Sequence, residues 1–263
     1  MPKVLADRVT LAVCIPALLS LCVVCCSRTR DDAARVAPPS GRPISTEVLA
    51  DRLLKAIEAY EIDAVRSALR EGADPNGPGL QLRVLGQAIR AHDPAVVREL
   101  IKAGADVNAT TTEGSGLPMV ALAAFYNEPA IVKMLVQAGA KPDARSKQGM
   151  TALAEAAVAN ASLVCEPLVE AGADINGWAL WPSHIYAGEI QTTPPKRGRT
   201  PLMIAASMGN LKAVHALLLL GADARLKNER GESAIDLIGE EDNPIQEIHS
   251  LLSTPSGLSS PRR

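Results

Sequence analysis

Aromatic side chains are nearly missing from this chain of 263 residues, which has two Trp, three Tyr and one Phe. Sheet proteins are usually rich in β-branched and aromatic residues, so this composition argues against a sandwich or a barrel. Alanine, in contrast, occurs 42 times and leucine 31 times. Because small and straight aliphatic residues favour helices, the sequence predicts an all-α protein.

An excess of one charge is also missing, since 27 Lys and Arg stand against 29 Asp and Glu. The balance gives no basic footprint of the kind that nucleic acid requires, so no nucleic-acid partner is expected. The four histidines, His92, His184, His215 and His249, are scattered without the spacing of metal ligands. No glycine-rich phosphate loop, nucleophile elbow or HExxH motif occurs. We therefore expect no enzyme activity, no cofactor and no metal ion.

Cysteine is almost confined to the first 26 residues, because Cys165 alone lies beyond them. Residues 9–26 form an uncharged, mostly apolar run of 18 residues. This length lies between a signal-peptide core of about 7 to 15 residues and a transmembrane helix of about 20. Residues 1–26 are therefore predicted to be one hydrophobic helix, either a signal peptide or a membrane anchor. The rest of the chain would then be exported or membrane-anchored and extracytoplasmic, in the periplasm if the source is bacterial.

Cys25 and Cys26 are candidates for lipidation, because the segment that contains them resembles the lipobox of bacterial lipoproteins. That motif requires a small residue before the modified cysteine, whereas Val24 precedes Cys25 here. The alternative is that these cysteines are small apolar residues of the membrane segment. Residues 27–43, with three prolines and a glycine, predict a flexible linker, and residues 253–263 predict a disordered tail.

A short pattern that begins with Gly-Ala recurs at a nearly fixed spacing. The glycines are Gly72, Gly104, Gly139, Gly172 and Gly221, separated by 32, 35, 33 and 49 residues. A period near 33 is typical of arrays of helix pairs, and the last interval is one period plus an insertion of 16 residues near 177–193. Such units bury their apolar faces only by stacking on their neighbours.

Each repeat has residues suited to begin, pack and end its two helices. Pairs such as Ala156-Ala157 lie sixteen and fifteen residues before the glycine, where small side chains let first helices approach closely. Thr151, Thr200 and Ser233 are placed to cap a first helix, and the glycine ends the second helix in a left-handed conformation. Pro167 falls in a second helix and would remove a hydrogen bond unless it lies in the first turn.

The segments Thr200-Pro201-Leu202-Met203-Ile204-Ala205-Ala206 and Thr151 to Ala157, each followed by Gly-Ala-Asp, resemble the ankyrin repeat pattern T-P-L-H-x-A-A. The resemblance covers residues 44–252 and implies an α-solenoid of four full repeats with partial caps and β-turn fingers. With an N-terminal apolar segment before the array, the chain is similar to bacterial exported or membrane-anchored ankyrin repeat proteins. The histidine of the family pattern is replaced in the four full repeats, so its usual hydrogen bonds are absent; the replacements are Gly86, Ala121, Ala154 and Met203.

The resemblance implies a non-catalytic module that binds a partner protein through the concave surface of its first helices and fingers. The outward positions fourteen and thirteen residues before each glycine form an apolar stripe in three successive repeats. Further rings lie in the insertion, and aromatic residues dominate the energetics of interfaces. The predicted protein-binding residues are Phe125, Tyr126, Val158, Met208, Trp178, Trp181 and Tyr186.

Three alternatives remain open at this point. The rings of the insertion could fold back on the adjacent repeats as the core of a loop. The protein could be an accessory subunit or an inhibitor of an enzyme, with His184 and Glu189 as a titratable pair in the insertion. It could also be a scaffold that associates with itself. Repeat surfaces bind unrelated targets, so the sequence names no partner.

Overall fold

A computed structural model describes residues 45–77, 83–112, 114–180, 198–238 and 243–253. The predicted N-terminal helix, the linker 27–43 and residues 254–263 lie outside these ranges, as do Cys25 and Cys26. The described ranges also leave out Trp181, Tyr186, and the pair His184 and Glu189. No helix within the described ranges has the length and apolar character needed to cross a membrane.

The described residues fold into short helices arranged in pairs, with a 3₁₀ turn at Ile235–Leu237. The α-helices are α1 (Thr46–Glu58), α2 (Ile62–Arg70), α3 (Val84–Arg90), α4 (Pro94–Lys102), α5 (Met119–Phe125), α6 (Pro129–Gln137), α7 (Ala152–Val158), α8 (Cys165–Glu170), α9 (Pro201–Ser207), α10 (Leu211–Leu219) and α11 (Asn243–Ser253).

The helices pack in two rows. The first helices α1, α3, α5, α7 and α9 each contact the next, and the second helices α2, α4, α6, α8 and α10 do the same. Each first helix also packs against the second helix of its own pair. The prediction of an all-α solenoid is confirmed for the described residues.

Small side chains fill the space between the first helices. The alanine pairs of α5, α7 and α9 are at most 1% exposed, so these helices lie close together. At the positions of the family histidine, Ala121, Ala154 and Met203 are equally buried. Apolar contacts therefore replace the hydrogen bonds that the histidine would make.

Capping at the start of the first helices differs between repeats. The hydroxyl groups of Thr151 and Thr200 accept hydrogen bonds from the N–H groups of Ala154 and Met203, at 3.3 and 3.2 Å. Arg83 precedes α3 without a side-chain cap. Ser233 donates from both its N–H and its hydroxyl to Asp236, and a 3₁₀ turn stands there in place of a full helix.

Pro167 is the third residue of α8, which begins at Cys165. The first turn of a helix has no internal partner for its N–H groups, so proline removes nothing there. Pro167 therefore removes no hydrogen bond from α8, as expected for a proline in the first turn, and the helix continues to Glu170.

The turn between the two helices of a repeat requires a left-handed residue. Tyr60, His92, Asn127 and Asn160 have φ between +54 and +59°, and Gly209 occupies the same place in the last full repeat. Asn127 and Asn160 also link neighbours, because their Oδ1 atoms accept from the N–H groups of Leu163 and Ala213 at 3.1 and 3.0 Å. These bonds hold consecutive repeats in register.

Candidate protein-binding surface

The exposed edge of the first-helix row is apolar in three consecutive repeats. Phe125 is 37% exposed and Met208 is 41% exposed, whereas Tyr126 and Val158 are half-buried. We call the surface formed by Phe125, Tyr126, Val158, Ala159, Ser207 and Met208 the first-helix face. The structure places four predicted binding residues along this row, on α5, α7 and α9 or directly after them.

The ring of Tyr126 is held from two sides. It makes edge-to-face contacts with His92 and Phe125, with ring centroids 5.2 and 5.6 Å apart. The Nδ1 atom of His92 lies 2.7 Å from a carboxylate oxygen of Glu128. Because edge-to-face packing and this polar contact restrict the rings, the aromatic end of the face is preorganised.

Trp178 belongs to a different environment from Phe125 and Met208. Its side chain is half-buried and packs against the hydrophobic core. Its carbonyl oxygen accepts a hydrogen bond of 2.6 Å from the guanidinium of Arg145, which belongs to the preceding finger. Trp178 is thus half-buried against the core, as Tyr126 and Val158 are, while Trp181 and Tyr186 lie outside the described residues.

The insertion is closed at its base by an antiparallel pair of residues. Ala179 and Arg199 exchange two backbone hydrogen bonds of 2.8 and 2.9 Å. Gly198 makes this pairing possible, since a Cβ atom at this position would overlap the carbonyl oxygen of Ala179. The guanidinium of Arg199 donates to the hydroxyl oxygen of Ser207 at 3.1 Å, which ties the base to the first-helix face.

Glu155 is a candidate for the binding surface that the sequence analysis did not name. It lies on α7 one turn before Val158, is half-buried, and has its pKa raised to about 7 by that burial. The corresponding positions on α5 and α9 are Leu122 and Ile204, which are 6% and 0% exposed. The first full repeat has the polar but neutral Gln87 at this position, so a comparison of the repeats would have shown Glu155 as the charged member.

Cys165 is fully buried, and its thiol lies 3.4 Å from the carbonyl oxygen of Ala161. Burial raises the pKa of the thiol to about 11, so the unreactive protonated form prevails at neutral pH. Within the described ranges, no three His, Cys, Asp or Glu side chains lie close enough to hold a metal ion.

Comparisons with known proteins agree with this geometry. Two family models described as ankyrin repeats match the chain, one over residues 85–177 and one over residues 187–238. The crystal structure of the ankyrin repeat domain of Bcl-3, a unique member of the IkappaB protein family, is similar to this structure with a TM-score of 0.58 and 26% sequence identity. The match covers 70% of this chain and 77% of the Bcl-3 chain. A search of curated protein sequences gives no significant match. Ankyrin repeats are, as a family, protein–protein interaction modules.

Proposed function

Because this chain belongs to the ankyrin repeat proteins, we propose that it is a non-catalytic module that binds a partner protein through the first-helix face. The observation that carries the proposal is the exposure of Phe125 and Met208 in one row, on the two repeats that flank the repeat of α7. The repeat before them has Arg90 and Ala91 at the same positions, so the apolar character begins at α5. An apolar stripe bordered by polar residues is typical of a binding surface.

Binding at this face would be favoured by its rigidity. Val158 and Tyr126 are already half-buried in the stack, so little side-chain freedom remains to be lost on association. The ring of Phe125 is large enough to fill a pocket of a partner, and aromatic anchors of this kind contribute most of the free energy of many interfaces.

The insertion extends the proposed surface. Its base contacts the face through Arg199 and Ser207, next to Met208. The sequence of the insertion supplies Trp181 and Tyr186, which we assign to partner contact, whereas Trp178 supports the loop by packing on the core.

A matched pair of double variants tests the face. Phe125→Ala with Met208→Ala removes apolar groups from the face, and Leu163→Ala with Leu219→Ala removes groups of 62% and 47% exposure elsewhere. The full chain and both variants would be used to capture proteins from a lysate of the source cells, followed by mass spectrometry. A protein captured by the wild type and the control, and lost with the face variant, is the expected result.

Thermal unfolding of the same variants completes the test, because exposed residues should contribute little to stability. The proposal fails if the control variant loses the captured protein as completely as the face variant, or if the face variant unfolds.

The location of the array outside the cytoplasm is part of the same proposal. It rests on the uncharged apolar run of residues 9–26. Fractionation of cells that express the full chain, with mass measurement of its N-terminus, would distinguish a retained anchor from cleavage. A mass increase that maps to Cys25 or Cys26 would identify lipidation, and a chain found intact in the cytoplasmic fraction would contradict this location.

A further inference from the structure

Glu155 stands out among the residues of the first-helix row. The sequences of α5, α7 and α9 are MVALAAF, ALAEAAV and PLMIAAS, and Glu155 provides the only charge in these three helices. Its neighbours at the same position, Leu122 and Ile204, are buried aliphatic residues. On α3 the same position is held by Gln87, a half-buried but neutral residue, so Glu155 is the charged member of this set of positions.

Within the part of the chain that the structure describes, the carboxylate of Glu155 makes no hydrogen bond or ion pair with another residue, and its oxygens still reach solvent. Helices α5 and α9, which flank α7, contribute no charge. The charged residues of the other helices packed on α7 are Glu166 and Glu170 on α8, and Lys212 and His215 on α10. None of these perturbs Glu155, whose pKa is raised by burial alone.

The position of Glu155 places it within the proposed binding surface. It precedes Val158 by three residues, so both side chains lie on the same edge of α7. The repeats on either side present Phe125 and Met208. The first-helix face is therefore apolar at both ends, with one acidic residue between them.

An unpaired carboxylate at partial burial is unfavourable, and a docked apolar partner would remove still more water from it. A cation on the partner would offset this loss by opposite charge as well as by hydrogen bonding, whereas a neutral donor offers only the hydrogen bond and an acidic side chain repels the carboxylate. We propose that Glu155 accepts an Arg or Lys side chain from the bound partner, whose contact segment is otherwise apolar. This inference rests on the proposed function, since it concerns the partner of the same face.

The test uses a phage-displayed library of random 12-residue peptides, selected on the immobilised full chain. Peptides that lose binding to the Phe125→Ala, Met208→Ala variant are kept, because they bind through the face. Each kept peptide is then measured against Glu155→Gln and against Glu166→Gln, an exposed carboxylate on α8 that serves as the control.

The expected result is that the kept peptides carry an Arg or Lys between apolar residues. Their affinity should fall about tenfold or more on Glu155→Gln and should not change on Glu166→Gln. Binding of an Arg-containing peptide to the wild type should strengthen as the pH rises from 6 to 8, since the ionised carboxylate is the form that pairs with a cation. The same peptide should bind Glu155→Gln without this pH dependence.

Two outcomes would overturn the inference and are distinguishable. If the kept peptides lack a cation, or bind Glu155→Gln as tightly as the wild type, the face binds partners but Glu155 does not select them. If every selected peptide still binds the Phe125→Ala, Met208→Ala variant, the proposed function fails and this inference fails with it.

Discussion

The side-chain amide of Asn108 donates a hydrogen bond of 3.1 Å to the carbonyl oxygen of Gly139, 31 residues further along the chain. Its Oδ1 atom accepts from the N–H of Lys141 at 3.1 Å. One side chain thereby joins the glycine turns of two consecutive repeats through a donor and an acceptor.

The accepting half of this contact recurs at every junction, including Asn176, whose Oδ1 accepts from the N–H of Asp223 at 2.9 Å, but among the described residues the donating half recurs only at Asn76. Asn76 donates to the carbonyl of Gly104 and accepts from the N–H of Asp106. Asp143 stands at the corresponding place, and its carboxylate accepts from the N–H of Asp174 at 3.1 Å. A carboxylate has no N–H to donate, so this junction has only the accepting half of the contact.

Substitution at these two junctions should change stability in opposite directions. Asn108→Ala removes both inter-repeat bonds and should lower the free energy of unfolding by about 1 to 2 kcal/mol. Asp143→Asn supplies the missing donor and should raise it by roughly 0.5 to 1 kcal/mol. Urea denaturation of the full chain measures both, and a stabilising effect of Asn108→Ala would contradict the role assigned to this ladder.

Glu155 should make the stability of the wild type decrease as the pH rises. Its pKa is about 7 in the folded protein, above its ordinary value of 4.5, so the folded state retains a proton that the unfolded chain releases between these values. Between pH 4.5 and pH 7 this group should lower the free energy of unfolding of the wild type by roughly 2 kcal/mol, a figure reduced for its partial exposure to solvent. Above pH 7 it should change the free energy of unfolding little.

Glu155→Gln cannot titrate, so the difference in unfolding free energy between it and the wild type isolates this group from other carboxylates. We expect the unfolding free energy of Glu155→Gln to rise relative to that of the wild type from pH 5 to pH 8. Chemical denaturation at each pH measures this difference, with Glu166→Gln as the exposed control. Curves that run parallel for the wild type and Glu155→Gln would show that burial does not shift the group.

Gly198→Ala should open the base of the insertion. The new Cβ would collide with backbone atoms of Ala179, which cannot turn aside as a side chain can. We expect a loss of about 2 kcal/mol or more and faster hydrogen exchange at the N–H groups of Ala179 and Arg199.

Gly231→Ala is the matched control for that change. Gly231 has φ +77° and open space around its Cβ direction, so alanine there should cost about 1 kcal/mol from backbone strain alone. Exchange at Ala179 and Arg199 should stay slow in this variant. If both N–H groups also exchange slowly in Gly198→Ala, the added Cβ does not open the base of the insertion.

Tyr60→Gly should stabilise the protein although it removes a large side chain. Tyr60 is 63% exposed and has φ +59°, a conformation that costs a non-glycine residue about 1 to 2 kcal/mol. Glycine loses more chain entropy on folding, so the net gain should be at most about 1 kcal/mol. Thermal unfolding measures it, and a lower midpoint for Tyr60→Gly would be the opposite of the expected result.

Asn127→Gly provides the contrast at the corresponding turn, where φ is +56°. Asparagine tolerates a left-handed φ better than tyrosine does, so glycine relieves less backbone strain there, and it removes the oxygen that accepts from Leu163. This variant should therefore show no gain or a loss.

Much of the fold could be predicted from the sequence, since its signals act over a few residues. Thr151, which the sequence predicts as the cap of a first helix, caps α7 in the structure. The position of Phe125 in its repeat correctly indicated an exposed residue. The sequence left open whether Trp178 packs on the adjacent repeats or faces a partner, because its packing depends on what the insertion meets after the repeats have stacked.

The amino-acid sequence by itself determined the repeat length, the helix pairs and the turns, since glycine, proline, capping hydroxyls and small residues act on the backbone next to them. Only the tertiary structure decided that Glu155 loses water and that Ser207 meets Arg199. Desolvation and contact geometry arise between segments that are far apart in the chain, and they exist only once neighbouring repeats lie against one another.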